Sequence, residues 1–264
     1  MVKIFGIQFA PILIPIERRL QTLAVLYYSS SFLFIGSGSL IILLILLFTK
    51  YYYVTLLYML WLIIDRNVCN QGGRINYWVR KWALWRHYAN YFPLKLIKTA
   101  DIDPNKNYIF GCHPHGILCF SYFGNFATEG TGFSQTFKGI TPHLLTLEGQ
   151  FWLPLNREIN EGKGHALVLM VGGAVEALDA VPNTLKLTLN KRKGRGVFQY
   201  NMGYLPFRKP ITTVVGKPID VIQVDEPTDE QIYDLHDKYI ISLQELFEEN
   251  NPKYGNKDLK LVIK

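Results

Sequence analysis

Between residues 20 and 64, a stretch of 45 positions, this 264-residue chain carries one charged side chain, Lys50. About 20 mainly apolar residues suffice to span a bilayer, so a run of this length predicts membrane insertion. A cleavable leader is not expected, because the run is too long and lacks a small-residue cleavage site at a suitable distance. Gly36-Ser37-Gly38-Ser39 interrupts the apolar sequence and predicts two helices meeting there. Arg18 and Arg19 precede the run, and Arg66, Arg74, Arg80 and Lys81 follow it. The positive-inside rule puts both flanks on the cytosolic side, which a hairpin satisfies and a single span does not. The first arm, residues 20–35, is short for a crossing and so tilts, thins the bilayer or dips in without crossing fully. The expected order is a cytosolic N-terminus over 1–19 and a transmembrane helical hairpin over 20–64, a multi-pass arrangement with both termini cytosolic.

Composition agrees with an excess of greasy surface. Apolar residues make up 49% and charged residues 19% of the chain, which excludes a disordered protein. The net charge of +7 favours an anionic partner: lipid headgroups, nucleic acid or a phosphorylated ligand. Three cysteines, Cys69, Cys112 and Cys119, are too few and too irregularly spaced for a disulfide framework or a zinc site. Residues 66–99 hold seven basic side chains and no acidic one, interleaved with Tyr77, Trp78, Trp82, Trp85, Tyr88, Tyr91 and Phe92. On a helix, Trp78, Trp82, Trp85 and Ala89 share one face. That face suits an anionic membrane surface or, equally, the core of a following domain. Beside a membrane hairpin, nucleic acid is the poorer explanation, and residues 65–100 are expected to form a basic, aromatic interfacial segment.

Beyond residue 100 the texture changes. Tyr108-Ile109-Phe110 predicts a short buried strand, residues 166–171 a second, and residues 211–215 a third, closed by Gly216-Lys217-Pro218. Thr228 and Gln231 make a capping-box pattern, after which Ile232, Leu235, Tyr239, Leu243, Leu246 and Phe247 recur at helical spacing. Strands alternating with helices predict an α/β domain over 101–264, with a mixed, mostly parallel sheet covered by flanking helices on both faces.

The first strand runs into His113-Pro114-His115-Gly116. Proline restricts the backbone at His113, glycine lets the chain turn closely past a ligand, and two imidazoles are held at a strand end. A histidine near neutrality can take a proton from an alcohol attacking a carbonyl and return it to a leaving group. A metal site needs at least a third ligand at sensible spacing, and none stands out; the plainer alternative is that both rings only satisfy loop carbonyls. Gly172-Gly173-Ala174-Val175-Glu176 is the second candidate. Its glycines, at a strand-to-helix junction, either present N–H groups to an anion or oxyanion or make an ordinary tight turn. Lys191-Arg192-Lys193 with Arg195 is a basic cluster suited to ligand phosphates, although most such runs are solvated loops.

Taken together, these stretches resemble the diacylglycerol acyltransferase type 2 family, and most closely its monoacylglycerol acyltransferase branch. The resemblance begins at Glu17-Arg18-Arg19-Leu20 and includes Tyr91-Phe92-Pro93, Asn107-Tyr108-Ile109-Phe110-Gly111, His113-Pro114-His115-Gly116 and Asn125-Phe126-Ala127-Thr128-Glu129. It resumes at Val171-Gly172-Gly173-Ala174-Val175-Glu176-Ala177-Leu178 and ends at Lys209-Pro210-Ile211-Thr212-Thr213-Val214-Val215-Gly216-Lys217-Pro218-Ile219. The resemblance implies an endoplasmic-reticulum membrane enzyme that transfers a fatty acyl group from acyl-CoA, as co-substrate, to monoacylglycerol. It implies no metal and no bound cofactor, and it leaves a homo-oligomer open.

On the same resemblance His115 is the general base toward the acceptor hydroxyl, with His113 its neighbour or understudy and Pro114 and Gly116 shaping the loop around substrate. Related glycerolipid acyltransferases place an aspartate shortly after the catalytic histidine, whereas Cys119 and Phe120 stand there in this chain. Glu129 or Glu176 is then left to orient the ring. Arg157, in Asn156-Arg157-Glu158, matches a family arginine and is placed to contact acidic groups of CoA or acceptor, and Gly172 and Gly173 line the substrate. The chain departs from the family at two places. After Arg192-Lys193-Gly194 members run on through a long segment, where Arg195-Gly196-Val197-Phe198 follows at once here; a shorter piece is absent between Ile159 and Gly162. An incomplete α/β domain is therefore expected. The alternative to an enzyme is an inactive, shortened membrane protein that binds lipid or a partner.

Overall fold

In the computed structural model the described residues are 3–4, 7–9, 11, 13–67, 76–113, 119–145, 166–170, 203, 205–255, 260–261 and 263. A two-residue antiparallel pair, β1 (Lys3–Ile4) and β2 (Ile7–Gln8), precedes the first helix. Helix α1 (Ile16–Ser30) passes through a π-helical turn (Ser31–Ile35) into α2 (Gly36–Leu47), and α3 (Tyr52–Ile64) returns alongside α2. The bend of the hairpin is therefore at residues 48–51, and the glycine–serine stretch is helical rather than a break. The serine hydroxyls bond back to carbonyls of the same helical run. Ser31 Oγ donates to the Tyr28 carbonyl at 2.8 Å and Ser39 Oγ to the Gly36 carbonyl at 2.7 Å.

The arms of the hairpin differ from α1 in what covers them. Helix α1 buries Thr22, Ala24, Val25 and Ser29 against α5 (Ala83–Tyr91). In contrast, Ile41, Ile42, Leu44 and Ile45 of α2 and Leu56, Leu57, Ile63 and Ile64 of α3 are all exposed. At 1.5 Å per residue the two arms are about 18 and 20 Å long. No helix among the described residues is long and apolar enough to cross a membrane.

The tryptophan-bearing segment is not one helix. Helix α4 (Tyr77–Arg80) stops after a single turn and α5 starts at Ala83. Arg80 is pulled into tertiary contacts that outweigh helical continuation: its carbonyl accepts from Glu129 N–H at 2.9 Å, and its guanidinium donates to the Phe126 carbonyl at 2.9 Å. The three indoles consequently form a staircase. Trp78 is 72% exposed and meets Trp82 edge-on, Trp82 stacks on Trp85, and Trp85 is buried in the core, so surface and core each claim part of the face.

The strands that follow pair in parallel. β3 (Leu94–Lys98) lies beside β7 (Ile211–Val215) in the register Leu94↔Ile211 to Lys98↔Val215. A second sheet has the order β4 (Tyr108–Cys112), β6 (Ala166–Met170), β5 (Pro142–Leu144), with Tyr108↔Ala166 and Pro142↔Ala166 aligned. Between the sheets run a short helix α6 (Phe120–Tyr122), a π-helical turn (Phe123–Ala127) and α7 (Phe133–Thr136). Tyr122, Phe126, Phe133, Phe137, Ile140 and Val168 form the buried cluster there, and Leu96, Phe110, Leu144 and Val215 pack against it from both sheets. The opposite pleat of β4 and β6 is open: Ile109 is 73% exposed, and Leu167 and Leu169 are exposed as well. Among the described residues, that face is met at Gly111 by Tyr239 and left exposed at Ile109, Leu167 and Leu169.

The last long helix, α8 (Asp229–Tyr254), begins with the expected capping box: Gln231 N–H donates to Thr228 Oγ1 at 3.3 Å, and Thr228 N–H to Gln231 Oε1 at 3.0 Å. It lies over two strand ends. Tyr239 meets Gly111 of β4, and Leu246, two turns on, meets Gly216 just after β7.

Candidate active site

His113 follows directly on the last residue of β4, so the sheet fixes where its main chain leaves the body of the protein. Its Nε2 and the Tyr239 hydroxyl of α8 share a 2.7 Å hydrogen bond, and the two rings are tilted by 52° with centroids 5.9 Å apart. The approach depends on Gly111: a Cβ there would collide with the Tyr239 hydroxyl. Burial raises the Tyr239 pKa above its ordinary value, helped by nearby Cys112, so its hydroxyl keeps its proton.

The chain is described again from Cys119, whose left-handed backbone, φ 47°, turns it sharply into α6. Phe120 packs on Tyr28 of α1, centroids 5.7 Å apart, and its carbonyl accepts from Tyr88 Oη at 2.9 Å. One end of the histidine loop thus lies against the helix that leads into the hairpin. Neither local thiol is disposed to act as a nucleophile. Burial, with a smaller push from Cys119, raises Cys112 to about 12, and burial raises Cys119 to about 11.

Glu129 is held by structural contacts. Its Oε1 accepts from Arg80 Nη2 at 3.2 Å and from Ser134 Oγ at 2.8 Å, and its Oε2 accepts from Ser134 N–H at 3.1 Å. These bonds tie α4 to the start of α7. Pro114, His115, Gly116, Arg157, Gly172, Gly173 and Glu176 lie outside the described residues, as do Cys69 and the basic cluster at Lys191, Arg192, Lys193 and Arg195. Among the described residues no group of three or more His, Cys, Asp or Glu side chains is placed to hold a metal ion. Tyr239 is the residue that sequence reasoning missed: it was visible only as one apolar position in the periodicity of α8.

The described geometry thus brings a histidine at a strand end together with a tyrosine of the last long helix. The family model for diacylglycerol acyltransferase matches residues 44–161, 159–195 and 193–264, and the chain belongs to that family. It is 38% identical to 2-acylglycerol O-acyltransferase 1 of Bos taurus, over 97% of this chain and 99% of the relative. It is 36% identical to the Homo sapiens protein of the same name, over 94% of this chain and 96% of the relative. Diacylglycerol O-acyltransferase 2 of Danio rerio is 35% identical over 93% of this chain and 89% of its own length. No solved structure gives a significant match. The family match divides at 159–161 and again at 193–195, the two places where the sequence departs from the family pattern. The alignment with the Bos taurus relative spans 331 positions against 264 residues in this chain, so that relative carries tens of residues that are absent here.

Proposed function

We propose that this acyltransferase moves a fatty acyl group from acyl-CoA to monoacylglycerol and works at the endoplasmic-reticulum membrane. The observation that carries the reading is where the described residues on either side of the histidine motif sit: His113 at the end of a parallel strand, and Phe120 packed on α1, the helix that leads into the apolar hairpin. Both substrates have long apolar tails, so the reacting hydroxyl and thioester meet most readily where a catalytic loop borders lipid.

In this reading His115 takes the proton of the acceptor hydroxyl as its oxygen attacks the thioester carbonyl. The tetrahedral intermediate collapses with cleavage of the carbon–sulfur bond, and the imidazolium returns the proton to the departing CoA thiolate. Diacylglycerol and free CoA result. Arg157 is assigned to acidic groups of CoA or acceptor, and Gly172 and Gly173 to stabilising the developing oxyanion. Within residues 20–64, the hairpin made by α2 and α3 enters the bilayer from the cytosolic side and returns to it. With arms of about 18 and 20 Å against a hydrocarbon core of about 30 Å, it dips into the bilayer or thins it.

Microsomes carrying the chain, given radiolabelled acyl-CoA and 2-monoacylglycerol, test the reading. Labelled diacylglycerol is expected, and His115→Ala is expected to abolish it while the protein stays with the membrane. Full turnover by that variant removes His115 from the mechanism. A second reading rests on the divided family match: the chain is a shortened, inactive form that binds lipid or a partner. Absence of diacylglycerol from this chain, with activity regained once the missing stretch is restored, decides for it.

A further inference from the structure

His113 is contacted from outside its own strand. Helix α8 is placed against the sheets at two points on one face, Tyr239 over Gly111 and Leu246 over Gly216, and contacts two turns apart resist both rotation and sliding of the helix. At the first point the glycine removes the one atom that would drive the tyrosine away, and the freed space brings the hydroxyl within 2.7 Å of His113 Nε2. The phenol meets the histidine both by shape and by a hydrogen bond.

We propose that Tyr239 is a positioning residue for transfer: its hydroxyl donates to His113 Nε2, fixing that ring's orientation and tautomer and with it the course of the chain to His115. The proposal rests on the acyltransferase reading given above. The hydroxyl is protonated and so able to donate. With Nε2 accepting, the neutral ring carries its proton on Nδ1. Pro114 then transmits the setting, since it permits few backbone conformations at His113. Tyr239 touches no reacting atom; it acts through His113.

The test compares the full-length wild-type chain with Tyr239→Phe, Gly111→Ala and the double variant in detergent micelles. Tyr239→Phe keeps the ring over Gly111 and removes the bond. It is expected to lower kcat about tenfold while leaving KM for both substrates and the melting temperature unchanged. Gly111→Ala displaces the same hydroxyl and is expected to match that loss, and the double variant falls no further, because both changes remove one interaction. An unchanged kcat in Tyr239→Phe, or a loss that only follows a lowered melting temperature, overturns the proposal. A second measurement is independent of turnover. In protein labelled with 15N-histidine, the Nε2 resonance of His113, assigned by its disappearance in His113→Gln, is expected to move in Tyr239→Phe. A resonance that stays put overturns the proposal. If it moves while the wild-type chain transfers no acyl group, the Tyr239 contact stands and the acyltransferase reading is the one that fails.

Discussion

Thr55 Oγ1 donates a 2.8 Å hydrogen bond to the main-chain carbonyl of Leu43, joining α3 to α2 across the hairpin. Thr55 is buried between the arms, whereas the aliphatic side chains around it point outward and are exposed. The polar contact is turned inward and the greasy surface outward, the reverse of a water-soluble helical pair and the arrangement that lipid favours. The bend then carries Phe48 and Tyr51 at the tip, with Lys50 5.2 Å from the centre of the Tyr51 ring.

The depth of that tip follows from the length of the arms. A single cysteine introduced by Thr49→Cys, with Cys69, Cys112 and Cys119 replaced by serine, is expected to resist a membrane-impermeant maleimide on both faces of sealed microsomes and to react once detergent is added. The arms of about 18 and 20 Å stop short of the far surface of a hydrocarbon core of about 30 Å. Labelling from the lumenal face without detergent would show that the hairpin crosses completely.

Glu129 is expected to matter for stability rather than turnover. Glu129→Gln weakens bonds to Arg80 and Ser134 that link α4 to α7, and both members of the ion pair are largely buried, with side chains 10% and 17% exposed. A loss of about 1–3 kcal/mol in unfolding free energy follows from leaving such charge-assisted bonds poorly matched. Urea melts and initial rates on the same preparations measure it. A large fall in kcat at undiminished stability would instead place Glu129 in the chemistry.

Much of the architecture was legible because it rests on local chemistry. The capping box at Thr228 and Gln231, the strands at 108–112 and 211–215 and the apolar hairpin all follow from periodicity, side-chain hydrogen bonding or bulk hydrophobicity. What escaped depends on contacts between distant residues. Arg80, the last residue of its helix, turns to Phe126 and Glu129, 46 and 49 positions away. Tyr239 meets His113 from 126 positions along the chain, a pairing that no spacing rule encodes. β3 was overlooked because Leu94-Lys95-Leu96-Ile97-Lys98 follows a basic aromatic run and acquires its meaning only beside β7.

The Cys112 thiol predicts a pH dependence. Burial, followed by the influence of Cys119, lifts its pKa from 9.0 to about 12 in the folded protein. Because the unfolded chain releases this proton first, the contribution to stability is complete below pH 9.0 and is lost as pH rises through about 12. Unfolding free energy is expected to decline more steeply above pH 9.0 in the wild type than in Cys112→Ala. Equal slopes would mean that the thiol is as free to ionise in the folded protein as in the unfolded one.

The open face of β4 and β6 is where the shortened sequence should show its physical cost. Ile109, Leu167 and Leu169 point away from the buried cluster and remain exposed, although a parallel sheet ordinarily has both faces covered. The breaks in the family match lie close on either side of β6 in sequence, so the residues that the longer relatives carry are candidates to cover this face. Ile109→Thr separates the possibilities. In the present chain it replaces an exposed side chain and is expected to change stability by no more than about 0.5 kcal/mol. In a chain with the missing stretch restored, the same substitution buries a hydroxyl in place of an ethyl group and is expected to cost about 1–3 kcal/mol. Equal effects in the two backgrounds, read from urea melts, would mean that the restored stretch packs elsewhere and that the sheet keeps one bare face.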